Sequence, residues 1–203
     1  CGEAPGRWGA DASGLPFVGD AAGVVTFAAL MAAGAASWPG PPESRTWDGT
    51  QLAAAGIVPA LVGVMLTNAY DRCPVDERVP ERTRIRPPRP AELRSPANLA
   101  RLWSELALGH RRGLRQVIAM GGVAAQVVGP LVAALPPAVP DGAPVMMHRI
   151  PHPSAQGLLT SAHLLLEGAP RGGAGCTLEA LRGAWEARFV SLLMPCAVRF
   201  ATG

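Results

Sequence analysis

Two side chains in this sequence stand where a ligand could reach them: Asn68 in LTNAYDRCP and His152 in RIPHPSAQGLL. Each follows a short apolar run of strand character, residues 61–66 (LVGVML) before the asparagine and APVMMHR before the histidine. In an open α/β sheet, ligands bind outside the carboxyl ends of the strands, so both residues are placed where a site would form. A third stretch, CGEAPGRWGADASGLPFVGDAAG, is too rich in glycine and proline to be helix or strand throughout. It reads as a shaped loop whose glycines permit close backbone approach. All 18 basic residues are Arg, with no Lys among them. No side-chain amine is therefore available for Schiff-base chemistry.

The elements that must position these residues alternate along the chain. Residues 21–36 read as a helix entered from a glycine-rich turn, and PESRTWDGTQ as a polar loop. After the 61–66 strand and an Arg- and Pro-rich loop, residues 91–108 carry Leu93, Leu99, Leu102, Trp103 and Leu106 near helical spacing. Pro96 confines the start of that helix. RQVIAM reads as a buried strand, GGVAAQVVGPLVAAL as a helix strained at Pro130, and APVMMHR as another strand. Residues 177–193 form an amphipathic helix that Thr177 can cap. Strands alternating with helices predict an α/β fold with a mostly parallel sheet. At 203 residues with 49% hydrophobic content, the chain is expected to be one domain, and disorder is excluded. The uncharged run 21–40 is rich in Ala and Gly and ends in SWPGPP, so it predicts a buried helix rather than a membrane span. The cysteines at positions 1, 73, 176 and 196 form no CxxC pair and read as reduced thiols.

Taken in order, four motifs resemble the uracil-DNA glycosylase superfamily, closest to its type-4, iron–sulfur-containing branch. They are GEAPG (2–6), DASGLPFVGDAAG (11–23), the Thr67–Asn68 pair and HPS (152–154), with VIAMGGVAAQVV between the last two. The resemblance implies a three-layer α/β/α sandwich around a mostly parallel sheet, spanning residues 1–203. It implies base flipping, since a base cannot be reached inside a duplex. It makes His152 the group that hydrogen-bonds uracil O2 as negative charge develops there. Asn68 would read the pyrimidine edge, and Phe17 would stack on the flipped base. Gly2 and Ser154 would also contact the substrate. Glu3 and Asp11 are the carboxylates that would orient water or stabilise the cationic sugar.

The sequence also departs from that branch. Its cluster needs four cysteines, of which only Cys73 has a counterpart, and the last ligand would fall near Pro96. No cofactor and no metal are therefore expected. The family strand that runs into GEAPG has no residues here to form it. The place of an apolar wedge after HPS is taken by Gln156, with Leu158 or Leu159 as substitutes. A related branch traps DNA covalently through a His in an Arg-rich loop, but Arg86 stands in that place.

Arg82, Arg84 and Arg86 lie in ERVPERTRIRPPRPAELR and are expected to contact DNA phosphates, and Gln156, at the wedge position, is expected to contact DNA as well. The resulting expectation is a monomeric, cytoplasmic bacterial hydrolase, nucleoid-associated when acting. It would excise uracil or another deaminated base from DNA, leave an abasic site, and have no membrane partner. The alternative is a superfamily member that binds damaged or abasic DNA without cleaving it.

Overall fold

The computed structural model describes residues 1–76, 85–137 and 142–197. It is organised as two compact units: Cys1–Arg7 with Thr67–Ile150, and Trp8–Leu66 with the chain from Pro151 onward.

The first unit is built on parallel pairing. Strands β3 (Gln116–Met120) and β4 (Met146–Ile150) run side by side, with Ala119 opposite Arg149. Along the other edge of β3, the Cys1 nitrogen donates to the Ile118 carbonyl at 2.7 Å and Met120 N–H donates to the Cys1 carbonyl at 2.9 Å. Gly2 forms a parallel bridge with Asn68. Gly2 N–H donates to Thr67 O at 2.9 Å, Ala69 N–H to Gly2 O at 2.8 Å, and Tyr70 N–H to Glu3 O at 2.9 Å. The segment Cys1–Glu3 is thus hydrogen-bonded on both sides.

Helix α4 (Pro90–Leu93) precedes α5 (Pro96–Arg111), where Ser95 caps the Asn98 N–H and Pro96 occupies the first turn. Proline suits that position because its missing N–H would be unpaired there anyway. Helix α6 (Gly122–Ala133) leaves directly from β3 and continues through Pro130. Leu102 and Leu106 of α5, Val117 of β3, and Val128 and Val132 of α6 form one buried cluster. Each such side chain contributes about 1.5–3 kcal/mol on burial.

In the second unit, α1 (Ala10–Ser13) packs on α3 (Gly49–Ala54), and α2 (Ala21–Ala32) packs on α9 (Leu178–Ala197). The short helices α7 (Ala155–Thr160) and α8 (Ala162–Leu165) also pack on α9. Thr177 Oγ1 accepts the Ala180 N–H at 3.2 Å, the cap expected for this helix. PESRTWDGTQ is more ordered than a polar loop. It forms a 3-10 turn over Pro42–Thr46, and an Asp48–Gln51 capping box then opens α3. That aspartate with a glutamine three residues on is a start signal the composition hides.

The buried strand expected over 61–66 is not formed. Strand β2 is only Ala60–Leu61, paired antiparallel with β1 (Ala36–Ser37), and Leu61, Val62 and Met65 are exposed. Gly63 takes φ 67°, a left-handed conformation that ends the extension. Parallel pairing resumes only at Thr67–Tyr70. Among the described residues, no helix is long and apolar enough to cross a membrane, and α2 is buried as its composition predicts.

Trp185 of α9 anchors the chain that enters HPS. Its ring is fully buried, stacks on Phe189 at 4.9 Å and 13°, and donates from Nε1 to the Pro151 carbonyl at 2.7 Å. Trp185→Phe keeps an aromatic ring but strands that carbonyl. It is expected to cost about 1–3 kcal/mol in urea denaturation. An unchanged midpoint would show that the carbonyl finds another partner.

Candidate functional site

In the first unit, the Gly2–Asn68 bridge brings GEAPG and the Thr67–Asn68 pair together. Asn68 is only 7% exposed, yet its carboxamide has no hydrogen-bond partner among the described residues. Its polar atoms still reach solvent, since the buried side-chain polar atom left unpaired among the described residues is Arg101 Nε, so the carboxamide can offer a ligand both a donor and an acceptor. Glu3 is half-buried one residue beyond the bridge, and burial raises its carboxyl pKa above the ordinary value.

Sequence reasoning missed what holds Asn68. Three residues on one face of α5 reach the segment. Asn98 Nδ2 donates to Ala69 O at 2.8 Å, and Arg101 Nη2 donates to Asn68 O at 2.9 Å. The Thr67 hydroxyl donates to Glu105 Oε2 at 2.6 Å. The signal was available in NLARLWSELA, where Asn98, Arg101 and Glu105 recur at helical spacing.

In the second unit, Phe17 is buried at 5% exposure and has φ 62°, the only positive φ at a non-glycine position among the described residues. Such backbone strain persists only where the surroundings over-determine it. The Ser13 hydroxyl donates to Val18 O at 2.9 Å, and Asp20 caps α2 through the Gly23 N–H at 2.7 Å. A Cβ on Gly23 would overlap the Phe17 carbonyl, so only glycine lets the turn close on the helix. Asp11 lies exposed in α1.

His152 stands two residues beyond β4. The Ser154 N–H donates to its Nδ1 at 3.2 Å, which makes Nδ1 the acceptor and leaves the proton on Nε2. Burial lowers its pKa below 6.5, and the opposing attraction of Asp20 does not outweigh this. The imidazole is therefore neutral at pH 7, with an Nε2–H donor that has no partner among the described residues. A Cβ on Gly157 would overlap the His152 carbonyl, so glycine is required there too.

Other expected positions fare differently. Ser154 Oγ accepts the Gly157 N–H at 3.2 Å as the cap of α7, so the hydroxyl already has a structural task. Gln156 is exposed on α7, whereas Leu158 is fully buried and cannot serve as a wedge. Arg82 and Arg84 lie outside the described residues. Arg86 grips Glu92 with both nitrogens, at 2.7 and 2.5 Å, and donates from Nε to Val75 O at 3.1 Å. That grip holds the Glu92 carboxyl down to about 2. A phosphate at Arg86 would have to compete with Glu92. The iron–sulfur cluster of the type-4 branch does not fit the donors present. Pro96 heads α5, and no group of three His, Cys, Asp or Glu side chains converges among the described residues.

Comparison with known proteins fits this arrangement. Residues 1–165 match the family model described as "Uracil DNA glycosylase superfamily". The chain belongs to that superfamily. It is also similar to a type-5 uracil-DNA glycosylase of Thermus thermophilus, 32% identical over 127 residues, a match covering 63% of this chain and 47% of the relative. The chain spans about half the length of that curated relative. No solved structure matches. Superfamily membership implies an α/β glycosylase fold, in keeping with the parallel pairing around β3.

Ser154→Ala removes the α7 cap. The expected loss is about 1 kcal/mol, the usual value for an N-cap side chain, read as a lower urea midpoint. Full stability would free the hydroxyl for a ligand instead.

Proposed function

We propose that this chain is a monofunctional uracil-DNA glycosylase. It would act as one domain over residues 1–203, with the three-layer α/β/α architecture and mostly parallel sheet of its superfamily. The observation that carries the reading is His152: a neutral imidazole whose Nδ1 is taken by a backbone N–H and whose Nε2–H is left without a partner among the described residues. The family match and the type-5 relative supply the substrate class.

In the proposed reaction the bond between C1′ and the uracil nitrogen breaks, and its electron pair leaves with the base. Charge accumulates on O2, where His152 donates its Nε2–H without first losing a proton. Such a donor is worth more as charge develops than in the ground state, which is what accelerates a bond cleavage. Water adds to the oxocarbenium-like sugar, and its proton passes to Glu3 or Asp11. Asn68 pairs with the pyrimidine edge through its donor and acceptor, separating uracil from cytosine. Gly2 brings its backbone close to the base, the Phe17 ring stacks on it, and Ser154 holds the His152 turn through its cap. The products are free base and an abasic strand, which stays intact because no Lys is present to form a Schiff base.

Arg82, Arg84 and Gln156 are proposed DNA contacts, with Arg86 joining only by giving up Glu92. The partner is DNA carrying uracil or another deaminated base, and the protein acts as a monomer in the bacterial cytoplasm. The motifs resemble the type-4 branch, and the relative is named type-5.

The test is a labelled oligonucleotide with a single uracil, incubated with protein and then heated in alkali. Alkali-dependent cleavage at the uracil is expected, with His152→Ala slowing single-turnover release by about 100- to 1000-fold. Near-wild-type release by the variant would remove His152 from the mechanism. Binding of the oligonucleotide without any release would favour a non-catalytic damage-binding protein.

A further inference from the structure

The brace behind Asn68 has more connections than a loop needs for stability alone. Arg101 Nη2 donates both to the Asn68 carbonyl at 2.9 Å and to Asn98 Oδ1 at 3.0 Å. Its Nη1 donates to Glu105 Oε1 at 2.7 Å and to the Thr67 hydroxyl at 3.2 Å. Nε lies 3.6 Å from Asp71 Oδ2, an ion-pair separation too long for a hydrogen bond. One guanidinium thus touches Thr67, Asn68 and Asp71 on the segment, while Asn98 and Glu105 fix it from its own helix. Arginine's planar fork suits this, since it can meet several acceptors in one fixed geometry.

We propose that Arg101 is a positioning residue for uracil selection: it sets the direction of the Asn68 carboxamide by fixing the main chain on which that side chain is carried. The inference rests on the proposed role of Asn68 toward the pyrimidine edge. Three successive peptide carbonyls bear on it. Thr67 O is held by Gly2, Asn68 O by Arg101 and Ala69 O by Asn98. The first and third bonds clamp the flanks. Arg101 holds the middle carbonyl, directly beside the Cα whose side chain must face the base. Without it that peptide is held from its N–H side alone, by the Ala69 bond to Gly2 O at 2.8 Å, and its carbonyl can tilt. A carboxamide displaced by about 1 Å can lose about a hundredfold in rate.

A double-mutant cycle with hydrogen exchange tests this on the full chain. Single-turnover uracil release is measured for wild type, Arg101→Met, Asn68→Ala and the double variant. If Arg101 acts through Asn68, Arg101→Met slows wild type by about tenfold to a hundredfold, but slows Asn68→Ala by less than about twofold. Independent, multiplying penalties would overturn the proposal. Arg101→Lys keeps the charge but not the fork, and should recover only part of the loss.

Amide exchange supplies an arm independent of activity. Arg101→Met should speed exchange at Ala69 and Tyr70 by about tenfold or more while β3 keeps its protection. Unchanged protection would mean that Arg101 does not order the segment. Should Asn68→Ala release uracil at the wild-type rate, the role given to Asn68 fails, whereas faster exchange would still show the segment to be braced. If Arg101→Met does not fold, Glu105→Gln, which weakens the hold on the guanidinium, enters the same cycle.

Discussion

Every peptide group taken out of water must find a hydrogen-bond partner, and past the end of a strand the ladder no longer supplies one. His152 lies past the end of β4, and Asn68 is paired on one side only, in a single bridge to Gly2 that leaves its own carbonyl outside the ladder. The fold satisfies that backbone with side chains sent from helices. Arg101 and Asn98 on α5 take the carbonyls of Asn68 and Ala69, and Trp185 on α9 takes that of Pro151. In the histidine turn the direction reverses, because the Ser154 N–H is satisfied by the His152 imidazole.

The consequence is geometric more than energetic. A net hydrogen bond contributes only about 0.5–1.5 kcal/mol, whereas leaving a buried group unpaired costs about 1–3 kcal/mol. Alternative backbone positions are therefore penalised more than the observed ones are rewarded. Among the described residues, the Asn68 carboxamide and the His152 Nε2–H remain without a partner. Phe17 shows the same economy in another form. Its left-handed backbone is held by the Ser13 bond to the next residue and by the close approach that Gly23 allows.

Much of this was legible in the sequence, and the limits have physical causes. RQVIAM was clear because a strand buried beside helices reads as an apolar run, whereas APVMMHR pairs as a strand although only Ile150 of β4 is buried. They became β3 and β4. LVGVML has the same appearance, but composition does not say whether a sheet edge is there to receive it, and Gly63 turned the chain away. The ordered motifs identified the superfamily, since loop shape and residue type are both written in them. The brace on α5 was not read, because Asn98, Arg101 and Glu105 look like the solvated face of an amphipathic helix. Only the fold reveals that this face meets carbonyls rather than water. Ser154 was given to the substrate because HPS travels as a unit, yet its hydroxyl caps α7.

The account depends most on the protonation state of one ring. His152 must carry a proton on Nε2 to offer a departing base a donor, and with Nδ1 accepting from the Ser154 N–H the neutral ring does so. The direct measurement is a ¹⁵N NMR titration of the imidazole in the free protein. The account predicts a neutral ring at pH 7 with Nδ1 as acceptor and Nε2 protonated, and a titration midpoint below the ordinary 6.5. An imidazolium at pH 7, or a proton on Nδ1, would contradict it.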